Sequence, residues 1–147
     1  MNMKKKKKSY IREILVQILY EQEFHQNTYN DSSNNQVIEI IKNKNSIPLD
    51  KEDTDYINRS IKNIRKYQKE IDILIQNSSQ SWKMERMSLV DLNIMRVAVY
   101  EMRYDDIPFK VCINEAIEMA KIYGTELSPQ FINGNLDNIS KEKLSGS

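Results

Sequence analysis

Cysteine and histidine are almost missing from this chain. Cys112 and His25 are the sole examples, so no intramolecular disulfide can form and a Cys/His metal cluster is excluded. One thiol in 147 residues makes a reducing cytoplasm the simplest setting. Only three glycines and three prolines interrupt the chain, and no polar/apolar alternation of useful length occurs. No stretch approaches the ~18 consecutive apolar residues of a membrane span. Glu13, Gln17, Glu21 and Glu23 break up the apolar residues that follow the basic N-terminus, so no signal peptide is expected. Neither GxxxxGK[ST] nor GxGxxG is present, which removes the common phosphate-cradling loops. With Ile, Leu, Met, Lys and Glu plentiful, the expected fold is all-α, and a chain this long needs no disulfide or metal staple to bury a core.

What is abundant is positive charge at one end. Residues 1 to 12 hold Lys4, Lys5, Lys6, Lys7, Lys8 and Arg12 and no acid, whereas the remainder carries 16 basic and 21 acidic side chains. A basic arm on a mildly acidic body suits a polyanionic partner. Lysine is a strongly hydrated point charge that pairs with phosphates and reads bases poorly. If all six basic groups met phosphates of a single strand, log K would fall with a slope of about −4 against log salt, roughly 300-fold between 50 and 200 mM.

The apolar spacing divides the chain into helices. Ile11, Ile14, Leu15, Ile18 and Leu19 form one stripe and Val16, Tyr20 and Phe24 a second, predicting a helix from about Ser9 or Tyr10 to Gln26. Residues 26–36 read as a loop, followed by a short helix at about 35–43. Asp50 is the expected N-cap of a helix containing Ile57, Ile61, Ile64, Ile71, Leu74 and Ile75, continuous or broken near Lys66 to Lys69. Ser88 and Asp91 start a helix that is apolar almost all round and therefore buried. Arg96 inside it demands a carboxylate, for which Glu101 or Glu115 would serve. Pro108 opens the next helix, with Val111, Ala116, Ile117, Ala120 and Tyr123 expected inward and Gly124 as a left-handed C-cap. Ser128 and Pro129 read as N-cap and first residue of a last helix to about Ile139. The domain plan is a basic arm over 1–9, one all-α domain over 10–140 and a frayed tail over 141–147.

No residue set reads as catalytic. Asp105, Asp106, Glu115 and Glu118 flank or occupy a helix start and fit capping and solvation, and Cys112 sits between Val111 and Ile113 as a small core residue. Tyr10, Trp82, Tyr100, Tyr104 and Phe131 are the aromatics able to stack on bases, and Phe131 follows a cap where side chains are often partly exposed.

The ordered blocks of the chain resemble the NusB family of bacterial transcription antitermination factors. Arg12-Glu13 with Val16-Gln17-Ile18-Leu19-Tyr20 looks like the family's entry into its first helix. Trp82, Met84, Arg86, Met87 and Asp91 stand at family spacing before Ile94-Met95-Arg96. Tyr100-Glu101, Asp106-Ile107-Pro108-Phe109-Lys110-Val111, Ile113-Asn114-Glu115-Ala116, Ala120-Lys121, Phe131-Ile132-Asn133-Gly134 and Leu136-Asp137 follow in order. Over residues 27–80 the likeness is mainly one of helical pattern and length.

The resemblance implies an all-α domain of about seven helices in two small packed bundles, without enzymatic activity, cofactor or metal. It implies binding of boxA-type single-stranded RNA together with NusE, a small-subunit ribosomal protein, and assembly with NusA, NusG and RNA polymerase, away from any membrane. Lys4, Lys5, Lys6, Lys7, Lys8, Arg12 and Phe131 fall on the family's RNA surface, and Tyr20 and Asp91 on its NusE surface. Two departures stand out: the arm is lysine where the family is rich in arginine, and Leu127 and Pro129 replace an acid and a histidine. The alternative readings are a helical RNA-binding module or a protein-interaction scaffold with no antitermination role.

Overall fold

The computed structural model describes residues 3–24, 47–79 and 82–145. The loop expected over 26–36 and the helix expected over 35–43 lie outside the described residues, as does His25. Six α-helices and a 3-10 turn, with no strand, make up the described residues, as an all-α fold requires. They run as α1 (Met3–Phe24), α2 (Lys51–Lys66), α3 (Gln68–Ser78), the 3-10 turn Met84–Arg86, α4 (Leu89–Tyr104), α5 (Phe109–Tyr123) and α6 (Ser128–Ser145). The chain divides into two compact units, residues 1–65 and 66–147.

In the first unit α1 begins at Met3, not near Ser9, because lysine is a good helix former and nothing in the tract breaks the helix. Its expected stripe is buried: Ile11, Ile14, Leu15, Ile18 and Leu19 are all under a tenth exposed. α2 starts on a reciprocal cap. Asp50 Oδ1 accepts from the Asp53 backbone N–H at 2.9 Å, and Asp53 Oδ2 accepts from the Asp50 N–H at 3.0 Å. Ile57, Ile61 and Ile64 bury its inner face.

Two cross-links hold α1 and α2 side by side and parallel. Lys7 Nζ meets Asp53 Oδ2 at 2.7 Å near both N-terminal ends. Further along both helices, Arg65 donates to Gln22 Oε1 at 3.1 and 3.2 Å and to the Leu19 carbonyl at 3.3 Å.

In the second unit α4 lies against α3, α5 and α6, which is why every residue from Leu92 to Met102 is buried. The helix break expected near Lys66 falls at Tyr67, whose ring stacks on Tyr104 at 4.2 Å. Arg96, 3% exposed, finds a carboxylate on α3 that the sequence reading did not name. Its Nε and Nη2 donate to Asp72 Oδ1 and Oδ2 at 2.8 and 3.0 Å, and its Nη1 donates to Asn93 Oδ1. α6 is also tied to α3, by Asn138 Nδ2 donating to the Ser78 carbonyl and Ser78 Oγ to Asn135 Oδ1.

Four local expectations are corrected. The buried face of α5 is Cys112, Ala116, Met119 and Ala120; Val111, one position out of phase with it, is exposed, and so is Tyr123, which keeps the phase but is the last residue of the helix. Gly124 is extended (φ −93°, ψ −168°), not left-handed. It is glycine for want of room: a Cβ would sit 2.6 Å from Ser128 Cβ and 2.5 Å from its Oγ. Ser128 is the first residue of α6 and its hydroxyl reaches backward, accepting from the Thr125 N–H at 2.9 Å, so it fastens the turn instead of the helix start. α6 itself continues to Ser145, past the expected fraying point.

Candidate nucleic-acid and partner interface

The lysine tract is the first turns of α1. Lys4, Lys5, Lys6 and Lys8 are exposed, and at 100° per residue Lys4, Lys8 and Lys5 fall within roughly a 100° arc that overlaps the buried stripe, Lys4 and Lys8 standing seven residues before Ile11 and Leu15. Lys7 also shares the phase of the buried face, four, seven and eleven residues before Ile11, Ile14 and Ile18, but is set apart by its contact with α2. The hydrogen bond to Asp53 raises the Lys7 ammonium above its ordinary value. Partial burial pushes the Asp53 carboxyl up, but hydrogen bonds from Lys7 and the Asp50 backbone outweigh it and hold that group below the usual carboxylate value. Arg12 falls on the lysine arc by helical angle, yet it is 6% exposed.

Tyr20 is half-buried, its ring stacked at 5.6 Å on Phe24, which is exposed. Asp91 occupies the first turn of α4, where its N–H donates to Ser88 Oγ at 3.1 Å. Its Oδ1 is buried with no hydrogen-bond partner among the described residues. Phe131 is half-buried one turn into α6, its carbonyl accepting from Asn135 Nδ2 at 2.9 Å.

Around Phe131 the α5–α6 corner exposes Ile122, Tyr123 and Leu127. Sequence spacing assigned Tyr123 inward and so missed this apolar corner; the side chain keeps the phase of Cys112, Ala116 and Ala120 yet is exposed at the last residue of α5. A second surface feature, a cleft lined by Glu70, Ile73, Leu74, Arg103 and Tyr104, was also not singled out. Desolvation, helped by the Glu70 charge, raises the Tyr104 phenol there. Of the other aromatics considered, Tyr10 and Tyr100 are core, whereas Trp82 is half exposed.

The acids take structural roles. Asp105 caps α4, Asp106 occupies the left-handed region (φ 52°) that Asp tolerates, and Glu118 pairs with Lys121. Cys112 is buried, its thiol 3.6 Å from the Ile107 carbonyl. Among the described residues no group of three or more His, Cys, Asp or Glu is placed to hold a metal ion, and no helix is long and apolar enough to cross a membrane.

The helices and their surfaces define an all-α domain with a cationic helix end. Residues 9–141 match the model of the NusB family, and the chain belongs to that family. It is 42% identical over 134 residues to the transcription antitermination protein NusB of Acetivibrio thermocellus, covering 90% of this chain and 88% of that one. Among solved structures it resembles T. maritima NusB with a TM-score of 0.77 at 36% identity, over 91% of this chain and 90% of that one. It also shares the fold of a NusB solved with NusE and double-stranded RNA, with a TM-score of 0.74 at 18% identity, over 92% and 97% of the two chains. Lys4 to Lys8 precede the matched region, so the arm's role rests on this chain's own residues.

Proposed function

We propose that the protein is a cytoplasmic, non-enzymatic transcription antitermination factor. It binds boxA-type RNA together with NusE and joins NusA, NusG and RNA polymerase. The observation that carries this reading is the family match over residues 9–141, reinforced by relatives named for antitermination. The solved complex of a NusB with NusE and RNA, which has the same fold, supports the choice of partners.

The exposed lysines of α1 supply phosphate pairing and Arg12 sits at the base of that face. Phe131 offers a partly open ring for base contact at an apolar corner. Tyr20, through its stack on Phe24 in the first unit, and separately Asp91 in the second, are each offered to NusE.

RNA binding at 50 and 200 mM salt, with and without purified NusE, tests this on a boxA-like RNA and its scramble. Tighter binding with NusE and rejection of the scramble are expected. Weak, equal binding to both RNAs that NusE leaves unchanged would reduce the arm to generic electrostatics and overturn the antitermination reading.

A further inference from the structure

We infer that Lys7 is a positioning residue: its ion pair with Asp53 clamps the basic turns of α1 against the capped start of α2, so that the neighbouring lysines are presented as one ordered cationic face. The inference deepens the proposed RNA binding and rests on it.

Three observations converge. The Lys7 side chain is 30% exposed and that of Asp53 16%, and their 2.7 Å contact is inside hydrogen-bond range. Asp53 is itself immobilised, since the same Oδ2 accepts from the Asp50 N–H while its own N–H donates to Asp50 Oδ1. Lys7 is therefore fixed to a rigid helix start and not to a mobile side chain. Helical phase completes the picture. The buried stripe of α1 runs through Ile11, Ile14 and Ile18, and it is bracketed by Lys7–Asp53 at one end and Gln22–Arg65 at the other. The arm is thus an extension of the parallel helix pair, oriented by the same face that builds the core.

An isolated run of lysines would fray and self-repel, paying for order at the moment of binding. Held at Lys7, the turn keeps Lys4, Lys5 and Lys8 on one side. The clamp also removes one cation from the phosphate count. With Lys7 engaged and Arg12 buried, four exposed lysines remain. At ~0.7 per phosphate of a single strand, the salt slope should be about −3, not the −4 expected from six groups.

Asp53→Asn is the informative variant, because it keeps all five lysines and an Asn able to cap while removing the anion. If Lys7 positions the arm, RNA affinity falls about two- to fivefold, the range of exposed ion pairs. Amide exchange over residues 3–12 should then quicken, while the melting temperature drops only slightly. Lys7→Gln should weaken binding with the slope unchanged, Lys7→Arg should restore it, and Lys8→Gln should flatten the slope by about 0.7. If Asp53→Asn binds RNA as tightly as the parent or tighter, Lys7 was withheld from phosphate and the inference is overturned. Unchanged exchange over residues 3–12 also overturns it, without any RNA present. Failure of the parent protein to bind RNA would instead remove the proposed function.

Discussion

Arg96 and Asp72 form a two-pronged ion pair across α3 and α4, with the guanidinium 3% exposed and its third edge held by Asn93. A buried pair adds little net stability over well-packed apolar residues, but breaking it strands a charge. Asp72→Ala should cost about 3–5 kcal/mol. Replacing both, as Asp72→Leu with Arg96→Met, should recover most of that loss. Urea unfolding of the single and double variants measures the difference. Equal losses in both would show that the pair is no more than packing volume.

Gly124 and Ser128 are the tightest approach described in the α5–α6 turn. Gly124→Ala places a methyl 2.6 Å from Ser128 Cβ and 2.9 Å from the Ala120 carbonyl, and the second contact is backbone that cannot swing aside. A loss of about 1–3 kcal/mol follows from overpacking, with no contribution from backbone dihedral strain because φ is negative. Ser128→Ala removes the bond to the Thr125 N–H and should cost about 1 kcal/mol. Thermal unfolding distinguishes the two. A neutral Gly124→Ala would mean that the corner is plastic.

Asp53 gives the first unit an acid-side dependence. Its carboxyl is held below the ordinary 3.8, so the stabilisation is present above that unfolded value and is lost as pH falls through the lower folded value. Lys7, raised above 10.5, contributes below its unfolded value and loses its contribution as pH rises through the higher folded one. The pair therefore stabilises across a plateau from about pH 5 to about pH 9 and fades on both sides. The melting temperatures of the parent and Asp53→Asn should differ by a constant amount on that plateau and converge in acid. A difference that persists once acid has removed the carboxylate's charge would assign the effect to capping alone.

Much of this architecture was legible because local signals agreed with one another. Asp50 and Ser88 sit where caps are needed and make the bonds a cap makes. α4 is apolar on all sides and is buried on all sides. The lysine tract was legible as a cationic feature, whereas the contact of Lys7 with Asp53, forty-six residues away, is tertiary and leaves no local signal. Arg96 announced that it needed an acid without revealing which, since Asp72 reaches it through tertiary packing. The inner face of α5 was read correctly at Ala116 and Ala120 and misread at Val111, which is as apolar as the buried residues but lies on another face. Tyr123 was misread for a different reason: it keeps the helical phase, and periodicity does not show that the last residue of the helix is exposed.

Asp91 is the residue whose partner role can be separated most cleanly from folding. It sits in the first turn of α4, where an anion gains about 0.3–1 kcal/mol from the helix dipole, and the cap bond to Ser88 Oγ comes from its backbone N–H, which any side chain retains. Asp91→Lys should therefore lower stability by roughly 1 kcal/mol and leave circular dichroism unchanged. One carboxylate oxygen is buried without a hydrogen-bond donor among the described residues, so a cationic partner would meet the other oxygen. If that partner is NusE, the reversal of charge converts an attraction into repulsion and affinity should drop by about tenfold or more, whereas Asp91→Asn should lose less. Titration calorimetry with purified NusE at two salt concentrations measures both. Full affinity in the Lys variant would take Asp91 out of the interface and leave Tyr20 and Phe24 to carry it.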